Sequence, residues 1–307
     1  MARETKNIAA SVRARLRNLA REQRANFQRL LTRYALERFL YRLSVSPHRD
    51  LFVLKGAMLY TAWAADPFRM TRDIDLLSLG DHEAGPLIKA IREVCALTVL
   101  DDGLQFDVEN ISTEPFSEDR AQGAFRARTA ARLGAAIIPV QIDIGFGDPI
   151  TPAPVQLEYP VLLDQPAPFL RSYPRETVVA EKFQAIVAHD LANSRMKDFY
   201  DLLAMSRLFA FEGRTLCAAI RATFERRSTT LPRKPPPALT REFSEDPRKL
   251  RLWQSFVTRE PLLIDELNLN ALVREIGNFI MPAAFGAIDD RCLPGNWTPG
   301  GGWSQPT

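Results

Sequence analysis

The sequence predicts an α+β fold: a small mixed β-sheet core flanked by helices, followed by a mainly helical second half. Three observations predict it. Short runs in the first half, such as "LFVLKG", "TRDIDLLSL" and "AIIPVQIDIGFGD", have strand alternation or β-branched content. From Arg175 onward the apolar residues recur at the helical period. A basic segment at the start repeats that helical spacing. Four regions follow: basic helices over 1–45 packing on the core, an α/β core over 46–165, a helical domain over 166–285, and a flexible tail over 286–307.

Within "IAASVRARLRNLAREQRANFQRLLTRYALERFLYRL", Leu16, Leu19, Phe27, Leu30, Leu31, Tyr34 and Phe39 fall at three- and four-residue steps. Two helices are expected, breaking near Gln23 to Asn26. "LFVLKG" is a short strand stopped by Gly56, "AMLYTAWAA" a helix closed by Asp66-Pro67, and "TRDIDLLSL" a second strand. "PLIKAIREVCAL" is a helix with Pro86 in its first turn, where proline is tolerated. "LQFDVENISTEPF" reads as a strand, "GAFRARTAARLG" as a strand or a turn-rich connection, and "PVQLEYPVLL" as an edge strand. "RETVVAEKFQAIVAHDL", "RMKDFYDLLAMSRLF" and "GRTLCAAIRATFERR" are helices, the first two joined by "ANS". "LPRKPPPALTREFSEDP" has the composition of a linker or exposed loop. "RKLRLWQSFVTRE" and "IDELNLNALVREIGNFIMPAA" are the last helices, and "LPGNWTPGGGWSQPT" has the content of a poorly ordered terminus.

The 307 residues are 46% hydrophobic and 25% charged, an ordinary mix for a globular chain with ample length for a core. No uninterrupted apolar stretch of membrane-spanning length occurs, and the N-terminus has no apolar signal region. The expectation is a cytoplasmic protein with no membrane partner. Cys95, Cys217 and Cys292 are too few and too scattered for a disulfide framework. They and His48, His82 and His189 do not cluster at zinc-ligand spacing. Net charge is +3, but residues 1–50 hold twelve Arg or Lys against four Asp or Glu. Such a segment suits either a phosphate-rich partner or a solvated helix face paired with acids elsewhere.

Chemistry concentrates in "RMTRDIDLLSL". Side chains two apart in a strand share a face, so Asp73 and Asp75 lie side by side while Ile74 points to the apolar face. Neighbouring carboxylates in a dry sheet repel each other, and a hard divalent cation offsets that repulsion through oxygen ligands. A strand edge open to water, or a helix N-cap region, would accommodate the same pattern. Asp143 in "IIPVQIDIGFGD" is a third strand acid, with Gln141 and Gly145 on its face; it could instead be an exposed alternation partner or begin the following turn. Three carboxylates on adjacent strands can hold cations that activate a hydroxyl and stabilise a leaving phosphate. Asp148 reads as a turn residue. Gly56, seventeen residues before Asp73, ends a strand and starts a helix, where phosphate can approach backbone N–H groups.

The strand–glycine–helix junction followed by D-x-D resembles nucleotidyltransferases of the DNA-polymerase-β type. There a Gly-Ser pair occupies the turn; here it is Gly56-Ala57, which removes a hydroxyl. In order, "FVLKGA", "TRDIDLL", "IDIGFGD", "VVAEKFQAIV" and "RMKDFYDL" resemble the AbiEii toxin family, which includes the MenT nucleotidyltransferase toxins, over about residues 30 to 210. The resemblance implies a nucleotidyltransferase core in which Asp73 and Asp75 bind catalytic Mg²⁺. Asp143 is the less uniformly placed third acid. It implies that Lys182 contacts the nucleotide phosphates and that Asp198 is the acid of the last motif. Lys55, Gly56, Thr71 and Arg72 complete the nucleotide-binding set, Thr71 matching a hydroxyl that is a regulatory target in some relatives. From the residues alone, Glu181-Lys182 reads as a surface pair, the usual arrangement for such a pair on a helix, and Arg195–Asp198 as an intrahelical ion pair.

The expected activity is that of a toxin from a toxin–antitoxin or phage-defence pair. It would transfer a nucleoside monophosphate from an NTP to the 3′ end of tRNA and so block aminoacylation. Expected partners are NTP, the tRNA acceptor end and a cognate antitoxin. Transfer to a protein or small molecule is the first alternative. The second is an inactive RNA- or nucleotide-binding module, whose binding would not need Mg²⁺.

Overall fold

The computed structural model describes residues 7–64, 71–80, 83–116, 124–259, 262, 268–288 and 295–304. Among these, the chain forms two compact units, one from 7–64, 71–147 and 156–172, the other from 148–155 and 173–304.

The first unit opens with α1 (Ile8–Glu22) and α2 (Phe27–Val45). Asn7 caps α1 by accepting from the Ala10 N–H, and Asn26 caps α2 by accepting from the Arg29 N–H. The break between them falls where the sequence places it, with Arg24 at φ 50°. Leu30, Leu31, Tyr34, Phe39, Leu40 and Leu43 make α2 a core helix. Three of its charged residues, Glu37, Arg38 and Arg42, are buried too. Arg42 donates to both oxygens of Asp102 at 2.6 and 3.1 Å, and Arg38 donates to the Pro166 carbonyl at 2.8 Å. Part of the basic N-terminal charge is therefore internal structure, a role the composition does not disclose.

β1 (Phe52–Lys55), α3 (Met58–Trp63), β2 (Asp73–Ser78) and α4 (Ala84–Ala96) follow. Next come β3 (Leu104–Phe106), β4 (Ser112–Phe116), β5 (Ala124–Leu133), β6 (Ala136–Phe146), β7 (Val155–Glu158) and β8 (Phe169–Ser172). Eight strands form one mixed sheet in the order β3-β5-β6-β2-β1-β8-β7, with β4 also on β5. "LQFDVENISTEPF" is two strands, because Asp107 accepts from the Asn110 N–H and turns the chain between them. "GAFRARTAARLG" is the strand β5. Pro139 is tolerated inside β6 because β2 pairs only with residues from Gln141 onward. β7 is an edge strand, as expected. β8, four residues between Pro168 and Pro174, has too little sequence to be anticipated.

The second unit contains α5 (Arg175–His189), α6 (Met196–Leu208), β9 (Phe211–Glu212) and α7 (Gly213–Arg226). After them come α8 (Arg241–Ser244), α9 (Pro247–Arg259), α10 (Leu269–Ile288), β10 (Asn296–Thr298) and β11 (Gly302–Trp303). Two expectations are corrected here. The Pro-rich stretch is not a loose linker: Ala238, Leu239 and Phe243 are buried, and Phe243 stacks on Phe199 at 4.9 Å. The C-terminal stretch is not a loose tail over 295–304. β10 and β11 join β9 in a three-stranded sheet, and Trp297 is buried against Phe279. Tryptophan burial outweighs the disorder that the glycines and prolines suggest. Among the described residues, one helix, α10, has the length and hydropathy of a membrane span. Leu272, Ile276, Phe279 and Ile280 on it are buried, so much of its apolar character serves the core.

Candidate active site

Four strands in the first unit bring the sequence-predicted acids together. β2 runs parallel to β6 with Asp73 opposite Gln141 and Asp75 opposite Asp143. β1 runs antiparallel to β2, placing Lys55 opposite Asp75; β5 runs antiparallel to β6, placing Arg126 opposite Asp143. β4 extends the row with Glu114 opposite Arg126. Paired residues share a face, so Glu114, Arg126, Asp143, Asp75 and Lys55 form one charged line across five strands. Ile74, Leu76, Ile142 and Ile144 occupy the other face and are buried. The period-two reading of "DIDLL" therefore holds, and the acids belong to a polar sheet face.

Gly56 follows β1 at φ 71°, a left-handed conformation that glycine adopts without strain. A Cβ at this position would overlap the Asp75 carboxylate. The turn and the acid are thus built against each other. Ala57 is buried and offers no hydroxyl. Asp73 and Asp75 are half-buried, Lys55 and Gly56 likewise, and Arg72 is exposed. The Thr71 hydroxyl donates to Asp73 Oδ1.

Asp143 is held differently from the other two acids. Arg126 Nε donates to Oδ1 and Nη2 to Oδ2, both at 2.7 Å, and the Gln141 amide adds a contact to Oδ2 at 3.3 Å. The paired Asp143 raises the pKa of Arg126 further through those hydrogen bonds. Arg126 is the residue that sequence reasoning missed. Its only signal was period-two spacing in β5, and its partner is fixed by a register between strands. Among the described residues, no group of three His, Cys, Asp or Glu side chains could hold a metal ion. Asp73 and Asp75 do offer the oxygen donors that Mg²⁺ takes, one or two carboxylates being its usual protein share.

The second unit carries its own charged cluster. Lys182 Nζ on α5 lies 2.8 Å from Asp198 Oδ1 and 2.7 Å from Asp201 Oδ2, both on α6. Arg195, at the N-cap of α6, donates from Nε to Asp198 Oδ2 at 2.6 Å. Burial pushes Asp198 up, but Lys182 and Arg195 outweigh it and hold its carboxyl well below the usual range. Arg195 is itself held by its turn: its N–H donates to Asn193 Oδ1, and Lys249 donates to the Asn193 carbonyl. The intrahelical Arg195–Asp198 pair forms as expected. Glu181-Lys182 is not a mutual surface pair, since Glu181 faces Arg227 at 3.6 Å while Lys182 turns to Asp198 and Asp201. Asp148 is more than a turn residue, its carboxylate also meeting Arg227. Asp201 went unnoticed in the sequence because "YDLL" reads as an ordinary helical stretch.

A mixed sheet bearing a D-x-D pair beside a strand–glycine–helix turn is the framework of a nucleotidyltransferase. Residues 38–274 match the family described as nucleotidyl transferase AbiEii toxin, type IV toxin–antitoxin system, and the chain belongs to that family. No curated protein matches the chain. Two Helicobacter pylori crystal structures align with most of the chain. JHP933 is 15% identical with a TM-score of 0.48, covering 87% of this chain and 94% of that one. The other, described as a candidate nucleotidyltransferase, is 15% identical with a TM-score of 0.45, covering 87% and 97%.

Proposed function

We propose that this nucleotidyltransferase toxin is Mg²⁺-dependent and transfers a nucleoside monophosphate from an NTP to the 3′ end of tRNA. The observation that carries the reading is the placement of Asp73 and Asp75 on one polar sheet face, with the Gly56 turn packed against Asp75. In the reaction the acceptor hydroxyl oxygen bonds to the α-phosphorus. The bond from that phosphorus to the bridging oxygen of pyrophosphate breaks, pyrophosphate leaves, and the hydroxyl proton passes to solvent. Mg²⁺ bound by Asp73 and Asp75 supplies charge neutralisation at the phosphates. Gly56 lets the backbone turn pack against the Asp75 carboxylate, and Lys55, opposite Asp75, adds positive charge beside it.

Lys182 is the proposed triphosphate contact on the strength of the family motif, with Asp198 and Asp201 orienting its ammonium. Arg15, Arg17, Arg21 and Arg24 are exposed along and just after α1 and are the proposed contacts to tRNA phosphates; binding through them weakens with salt. The cognate antitoxin is the regulatory partner, and the cytoplasm, where tRNA is charged, is the proposed location. The test is incubation of the purified protein with Mg²⁺, α-labelled NTPs and total tRNA, followed by nuclease or protease digestion of the product. Nuclease-sensitive label that depends on Mg²⁺ and Asp75 supports the reading. Label in protein reassigns the acceptor, and no transfer from any NTP removes the reaction.

A further inference from the structure

We propose that Arg126 withdraws Asp143 from cation binding, so that the site takes a divalent cation on two carboxylates, Asp73 and Asp75, and not on three. The inference rests on the cation-site reading above and sharpens it. Asp75 and Asp143 stand opposite each other on parallel strands, the placement a three-carboxylate site needs. Yet both Asp143 oxygens are taken by a bidentate guanidinium at 2.7 Å, the strongest geometry a carboxylate partner offers. Gln141 adds a further donor to Oδ2. The Asp143 side chain is 11% exposed and that of Arg126 18%, so neither reaches a cation without breaking a largely buried pair. The pair is neutral as a unit, so Asp143 adds no net charge to the face that carries Asp73, Asp75 and Lys55. Arg126 is thus a positioning residue that sets the ligand number of the site through Asp143.

The experiment measures Mn²⁺ binding to the full chain by loss of the free-ion EPR signal, with no nucleotide and no turnover. The informative variant is R126M/D143N, which replaces both partners with neutral groups and so avoids a lone buried charge. Its Mn²⁺ affinity is expected within about threefold of wild type, because a neutral pair gives way to neutral groups. R126M alone frees a carboxylate next to Asp75 and is expected to tighten binding about tenfold, since ligand charge count sets affinity at such sites. A loss of about tenfold or more in the double variant would mean that Asp143 is a ligand and overturns the proposal. So would a folded R126M that binds no tighter than wild type. If R126M does not fold, the double variant decides alone. Asp75→Asn separates the two levels. If wild type binds no Mn²⁺, or Asp75→Asn binds as well as wild type, the cation-site reading itself falls and this inference with it.

Discussion

Gly56 lies directly against the Asp75 carboxylate, at a backbone φ of 71°. Both facts demand the absence of a side chain. Gly56→Ala would strain the left-handed turn and drive a methyl group into the acid, so the two must move apart. A stability loss of about 1–3 kcal/mol is expected, with nucleotidyl transfer falling further than stability because Asp75 itself is displaced. Urea unfolding read beside the label-transfer assay checks this. Equal activity in wild type and Gly56→Ala would sever the turn from the chemistry.

Asp73→Asn and Asp75→Asn keep side-chain volume and remove one charge each. Each is expected to lower transfer by at least about a hundredfold, the scale of losing one preorganised electrostatic group. Neither should change stability by more than about 1 kcal/mol, because both side chains are half-buried and the repulsion relieved is offset by attraction lost to Lys55 or Thr71. A thermal melt close to wild type together with lost transfer is the expected pattern.

The legible part of this site was its local part. D-x-D reads off the period of a strand, and Gly56 reads off the end of one, because both signals lie within a few residues. Arg126 was not legible. Nothing in "AFRARTAARL" distinguishes it from Arg128 or Arg132; only the register of β5 on β6 puts Arg126 opposite Asp143. Likewise "EK" looks like a surface pair until α6 brings Asp198 and Asp201 to Lys182. The break near Gln23 to Asn26 was readable from helical spacing, whereas the four-residue β8 and the packing of the Pro-rich stretch depend on distant partners.

Glu37 is a buried acid whose pKa is pushed up to about 7 by burial, against the pull of Arg38, the Leu162 N–H and Arg33. The native state therefore holds this proton more tightly than the unfolded chain, and stability is greatest below about pH 4.5 and declines as pH rises to about 7. The full window corresponds to roughly 3 kcal/mol. Glu37→Gln keeps an acceptor for Leu162 and should abolish that slope. Urea midpoints of both proteins at pH 5 and pH 8 test it. A difference between the two that does not grow toward pH 8 would show that burial is not setting this ionisation.

Trp297 ties the C-terminal stretch to the second unit. It is buried, its indole N–H donates to the Ser206 carbonyl at 2.6 Å, and its ring lies 4.9 Å from Phe279. Trp297→Ala is expected to cost about 3–5 kcal/mol and to expose 295–304 to protease. Unchanged unfolding and unchanged proteolysis would restore the loose tail that the glycines and prolines suggested.

Asp198 carries the charge balance of the Lys182 cluster, with its carboxyl held low by Lys182 and Arg195 despite burial. A carboxylate depressed in the folded state contributes stability that is fully present above its unfolded value, near 3.9, and is lost as pH falls toward the native one. Asp198→Asn removes that contribution and takes one of the paired carboxylates from Lys182, a loss of about 3–5 kcal/mol at neutral pH for a broken buried pair. Because wild type loses its advantage in acid and the variant has none to lose, the gap should narrow by about 1 kcal/mol between pH 6 and pH 3. Denaturant midpoints at the two pH values measure it. A gap that stayed constant would mean that Asp198 contributes through shape and hydrogen bonding alone.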